Sequence, residues 1–144
     1  MTDSAGDLIV AFEHELLTLN AVHEALLAET AALTDGDTDN LSIATTSKNV
    51  ALEAHQARMN QRPSGDIPDE GTNAELSALQ NRLASLASDC QDLNRRNGAL
   101  ISKLSDRTKA ALTVLQGTED IAVLYSASGV EPAKGKGSRV LGKA

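Results

Sequence analysis

The sequence predicts an all-α fold, an elongated antiparallel three-helix bundle or coiled coil with a long third helix and a flexible C-terminal tail. Two observations and one absence predict it. Between Leu76 and Val114 the seam steps alternately by three and four residues, through Leu76, Leu79, Leu83, Leu86, Cys90, Leu93, Asn97, Leu100, Leu104, Arg107, Ala111 and Val114. A second such stripe runs through Ile9, Phe12, Leu16, Leu19, His23, Leu26, Thr30 and Leu33. No stretch alternates apolar and polar residues in the two-residue rhythm of a strand. Steps of three and four put side chains on one side of a helix, and a stripe held at period seven keeps facing its partner only if the helices wrap around each other. At about 1.5 Å per residue, the third helix is a rod of about 60 Å.

The first helix is predicted over residues 4–33. Asp3 and Ser4 are its candidate caps, and its early acidic residues suit the positive end of the helix dipole. Leu8, Leu17, Val22 and Leu27 widen its apolar stripe beyond a two-helix seam. The turn formers between Thr34 and Asn40 reverse the chain. The second helix is predicted over 39–62, with Leu41, Ala44, Val50, Ala51, Leu52, Ala54 and Met59 as its apolar positions. Thr45, Thr46 and Ser47 weaken its intrinsic helicity. Pro63, Gly65, Pro68 and Gly71 then break the chain into an exposed loop. Thr72 with Glu75 reads as a capping box opening the third helix over 73–117, and Gly117 reads as its terminus. Thr118 to Leu124 adds a short helical turn. The bundle is thus expected over 1–128. A basic tail follows over 129–144, with Lys134, Lys136, Arg139 and Lys143.

Charge and composition narrow the function classes. The 144 residues carry a net charge of -7, and the first 40 hold nine acidic side chains without one lysine or arginine. Such a body repels phosphate backbones, which excludes nucleic acid as the main partner. Phe12 and Tyr125 are the two aromatic residues, too few for an ordinary small-molecule pocket. The lone Cys90 lies on the leucine seam and reads as a small core residue in a reducing compartment. No basic region precedes an apolar run at the N-terminus, and no apolar run is long enough to cross a bilayer. A cytoplasmic protein without membrane insertion is expected.

Nothing points to catalysis. His14, His23 and His55 form neither Glu-x-x-His nor His-x-x-x-His pairs, so no metal site is expected. No glycine-rich phosphate loop and no nucleophile pattern occurs, so no cofactor and no catalytic residue is expected. His23 reads as a packing residue, His14 and His55 as helix surface.

Three features remain. Asn94-Arg95-Arg96-Asn97-Gly98 places a polar residue on the leucine seam beside a helix-interior glycine. Asn97 then either locks the register between helices of this chain or marks a spot where a partner helix crosses close to the backbone. Second, Leu100, Ile101, Leu104, Ala111, Leu112, Val114 and Leu115 cover more than one narrow stripe, which the first two helices cannot all bury. A groove open at the end of an acidic bundle accepts an amphipathic helix from another protein, and burial in a homodimer is the other reading. Third, Leu124-Tyr125 followed by Gly129 ends the helical region; Tyr125 either anchors a partner or tucks against the bundle end.

These features resemble the FlgN-type flagellar export chaperones. Asn94-Arg95-Arg96-Asn97-Gly98-Ala99-Leu100-Ile101 is similar to that family's Asn-x-x-Asn-Gly-x-Leu-Ile segment. The stretch from Thr108 to Leu115, Leu124-Tyr125 with Gly129, the basic end closing on Leu141-Gly142, and Lys48 are similar too. The polar run Thr45–Ser47 and the proline-broken loop depart from the pattern. The resemblance implies a cytosolic, non-enzymatic chaperone that binds the C-terminal region of hook-associated (hook–filament junction) proteins and delivers them to the flagellar export gate. Client contact is then expected at Asn97, Leu100, Ile101, Leu104, Ala111, Leu112 and Leu115, and export-gate docking at Leu124, Tyr125 and Gly129, with a homodimer as the client-free form. A coiled-coil scaffold or stalk protein of a secretion apparatus is the alternative reading of the same rods.

Overall fold

The computed structural model describes residues 4–64 and 73–127, with side chains as far as Gly117. Three helices account for almost all of them: α1 (Ser4–Asp35), α2 (Thr38–Asn60) and α3 (Ala74–Ala127). No strand occurs among the described residues. The chain divides into two units, Met1–Ile101 and Ser102–Ala144.

The reversal between α1 and α2 is fully accounted for by local chemistry. Gly36 adopts φ 68°, in the left-handed region where a Cβ is penalised. That turn aims the Asp37 amide back at the Ala32 carbonyl, 2.9 Å away, the six-to-one bond of a Schellman motif. Asp37 also starts the next helix, its carboxylate accepting from the Asn40 backbone amide at 3.0 Å and from Asn40 Nδ2 at 2.6 Å. One short segment therefore satisfies both helix ends.

Two boundaries differ from expectation. The cap of α3 is Asn73, whose Oδ1 accepts from the Leu76 amide at 3.1 Å; Thr72, the expected cap, lies outside the described residues, as does Asp3. Gly117 does not end α3, which continues to Ala127. A single glycine costs a helix about 1 kcal/mol, and the helical residues on both sides of Gly117 outweigh it.

In the first unit the helices run up, down and up. Leu8, Phe12 and Leu16 of α1 pack on Leu76 and Leu79 of α3, with Ile9, Leu83 and Leu86 against them. Further along, Leu19, Val22 and Leu26 meet Ala51 of α2 and Cys90 of α3. The α1 stripe is therefore shifted from the expected one. Leu8, Phe12, Glu15, Leu19, Val22, Leu26 and Glu29 face inward, whereas Leu17 and Leu27, expected to widen the core, are exposed.

The second helix differs most from its expected packing. Only Ala44 and Ala51 are buried; Val50, Leu52 and Met59 are exposed, together with Ile43. A buried aliphatic side chain contributes about 1.5–3 kcal/mol, and an alanine methyl much less. Apolar burial alone holds α2 weakly, and polar contacts to α1 and α3 supply the rest.

Candidate binding surface

The polar contacts centre on two buried carboxylates. Glu29 of α1 is 0% exposed, and three side chains converge on it. Asn97 Nδ2 of α3 donates to Oε1 at 3.1 Å, while Thr45 Oγ1 of α2 donates to Oε2 at 3.0 Å. Lys48 Nζ of α2 stands 2.9 Å from the same oxygen and also donates to Asn94 Oδ1 of α3 at 3.1 Å. The charge is thus neutralised and both oxygens are satisfied, which a buried carboxylate requires. The polar run at Thr45, a departure from the family pattern, serves this contact.

Near the other end of α1, Glu15 is buried and held by Arg62, just beyond α2. Arg62 Nε donates to Oε1 at 2.8 Å and Nη2 to Oε2 at 2.6 Å, a two-pronged pairing. The guanidinium lies 4.8 Å from the centre of the Phe12 ring, so it pairs with the carboxylate and covers the aromatic face together. The hydrogen bond to Glu15 raises the Arg62 pKa further above its ordinary value, against the opposing pull of burial.

Asn97 belongs to this interior. It is 1% exposed, donates to the Leu26 carbonyl at 3.0 Å as well as to Glu29, and accepts from Thr30 Oγ1 at 2.8 Å. Its amide is engaged within the chain and its side chain lies inside the bundle, which fits the register-lock reading of the sequence. Gly98, expected to mark a close backbone approach, has open space where a Cβ would stand.

Past Asn97 the seam stops being covered. Leu100 and Ile101, the last residues of the first unit, are exposed. In the second unit, Leu104, Leu112 and Leu115 are 42%, 53% and 59% exposed, and Ala111 is exposed as well. Leu124 and Tyr125 lie on the helical backbone of α3, with side chains outside the described set, and Gly129 lies outside the described residues. Cys90 is buried in the core, its thiol pKa pushed up by burial and, after that, by the neighbouring charge of Asp89.

Sequence reasoning missed Glu15 and Glu29. A signal existed: Leu8, Phe12, Glu15, Leu19, Val22, Leu26 and Glu29 follow the same four-and-three rhythm as the chosen stripe. Carboxylates on a seam are discounted as surface residues because their partners are remote in sequence.

Among the described residues no group of three or more His, Cys, Asp or Glu side chains could hold a metal ion, and no helix is long and apolar enough to cross a membrane. A helical bundle locked by buried polar pairs, with uncovered leucines on its longest helix, defines a class of protein that works by contact with another chain. The sequence profile described as FlgN protein matches residues 1–133, and the chain belongs to that family, the flagellar export chaperones. Neither the curated proteins nor the solved structures give a match.

Proposed function

We propose that this export chaperone acts in the cytoplasm on hook-associated (hook–filament junction) proteins, holding their C-terminal helical region, preventing premature association and delivering them to the export gate. Client contact falls on α3, at Leu100, Ile101, Leu104, Ala111, Leu112 and Leu115, with Asn97 fixing the helix register from inside. The exposure of Leu104, Leu112 and Leu115 in a member of this family is the observation that carries the reading. Leucines half in water gain about 1 kcal/mol each when covered, about half the value of burying a whole side chain. A few such contacts give an affinity that holds a client and still releases it, since every 1.4 kcal/mol is about tenfold in affinity.

Leu124, Tyr125 and Gly129 serve docking to the cytosolic domain of the export gate, beside the client-binding stretch in sequence. Without client, two copies pair through the same leucines, and client separates them.

The test mixes the purified full-length chain with a peptide from the C-terminal end of a junction protein. A soluble one-to-one complex at micromolar concentration is expected. No complex, with circular dichroism reporting a folded helical protein, removes the reading.

A further inference from the structure

A second apolar surface lies in the first unit, and no described side chain of α3 lines it. Along one side of α1 and α2 runs an open groove of about 860 Å³. Alanines dominate its lining: Ala25 and Ala32 from α1 with Ala44 and Ala51 from α2 are buried, and Ala28 of α1 is exposed beside them. Methyl groups at these positions let another backbone approach more closely than leucines would. Ile43 and Val50 line it too, both exposed, although apolar side chains of this size are normally covered. Between Ala21 and Asp35 the α1 wall runs for about 20 Å, the length of about four helical turns.

Charge selects the occupant. Among the described residues three carboxylates line the groove, Glu24, Asp35 and Asp37, and no lysine or arginine does. Asp37 is engaged in capping α2. Glu24 and Asp35 are exposed and make no ion pair among the described residues. Lys48 of α2 is committed to Glu29 and Asn94. A second copy of the groove would bring like charges together, which opposes self-pairing here. A helix whose apolar face is flanked by lysine or arginine meets both the alanine lining and the acidic rim.

We infer that the α1–α2 groove docks an amphipathic helix of a partner protein carrying basic residues beside its apolar face. This surface is independent of the client reading, because its residues and those proposed for the client do not overlap.

The test uses the full chain and two synthetic helices of about 16 residues, both with one leucine face, one flanked by lysines and its twin by glutamates. Fluorescence anisotropy should show the lysine helix binding at least about tenfold tighter than the twin, and more weakly as salt rises. Ala28→Leu fills the groove without changing charge and should weaken binding about tenfold, while the junction-protein peptide is still retained. Ile43→Ser, at an exposed wall position and likewise without a change of charge, provides the same reading if Ala28→Leu disturbs helicity. Equal affinity for the two helices overturns the inference. So does loss of binding in Leu104→Asp/Leu112→Asp with none in Ala28→Leu, which would put the peptide on α3. A dimer by sedimentation that Ala28→Leu dissociates also overturns it, in favour of a second copy as the occupant.

Discussion

Asn97 of α3 donates its amide to Glu29 of α1 at 3.1 Å inside the bundle, one turn before α3 becomes exposed. The pair places a polar lock at the last covered position of the leucine seam. On the Asn97 side the seam packs; from Leu100 onward it does not. A register slip would bring a leucine opposite a buried carboxylate, so the contact holds α3 in register within the first unit.

The two members of the Glu29–Lys48 pair should respond unequally. Lys48→Met leaves a fully buried carboxylate without its cation and should cost about 3 kcal/mol. Glu29→Met should cost less, because the Lys48 side chain is already 15% exposed and can turn to water. The double variant should recover most of the loss. Urea unfolding of the four proteins measures this; equal losses in both single variants would show that Glu29 also reaches solvent.

Arg62 should not be replaceable by lysine. Arg62→Ala strips both hydrogen bonds from buried Glu15 and should cost about 2 kcal/mol. Arg62→Lys should restore less than half, since an ammonium cannot pair with both oxygens while lying flat on Phe12. Hydrogen exchange should localise the loosening to the C-terminal turns of α2. Full rescue by lysine would reduce the contact to simple charge.

Two glycines should respond with opposite sign. Gly36→Ala forces a Cβ into the left-handed region and should destabilise by about 1 kcal/mol. Gly98→Ala meets open space inside a helix and should stabilise by up to about 1 kcal/mol. If a client helix crosses at Gly98, the same substitution should weaken client binding while raising the melting temperature, and calorimetry with peptide titration reads both.

Leu104→Asp with Leu112→Asp should leave unfolding of the monomer, measured at a concentration too low for two copies to pair, within about 0.5 kcal/mol of the parent, because both side chains are exposed in the single chain. Affinity for the junction-protein peptide should fall at least about tenfold. Wholesale unfolding would instead assign the two leucines to an internal core.

Cys90 should react with iodoacetamide at least about tenfold more slowly in the folded protein than in urea, because access is blocked and its thiolate disfavoured. Its pKa is raised in the folded state, so the stability that the neutral thiol contributes is intact at neutral pH and is lost as pH climbs through the folded value. Unfolding curves from neutral to about pH 10 should fall more steeply for the parent than for Cys90→Ala.

By itself the sequence determined the helices, because the features that make them are local. The leucine rhythm of α3 marks its packed face from Leu76 to Leu93, and Gly36 with Asp37 marks the turn. The surplus of apolar residues after Asn97 was equally legible, since counting them needs no partner. What the tertiary structure alone decided is the rotation of α1, the packing of α2 and the role of Asn97. Two stripes on α1 fit the same spacing, and the observed one carries Glu15 and Glu29. Burying a carboxylate is costly by itself and acceptable only with its cation beside it. Those cations, Arg62 and Lys48, reach α1 only after the chain has turned back, so no local pattern could show which stripe faces inward.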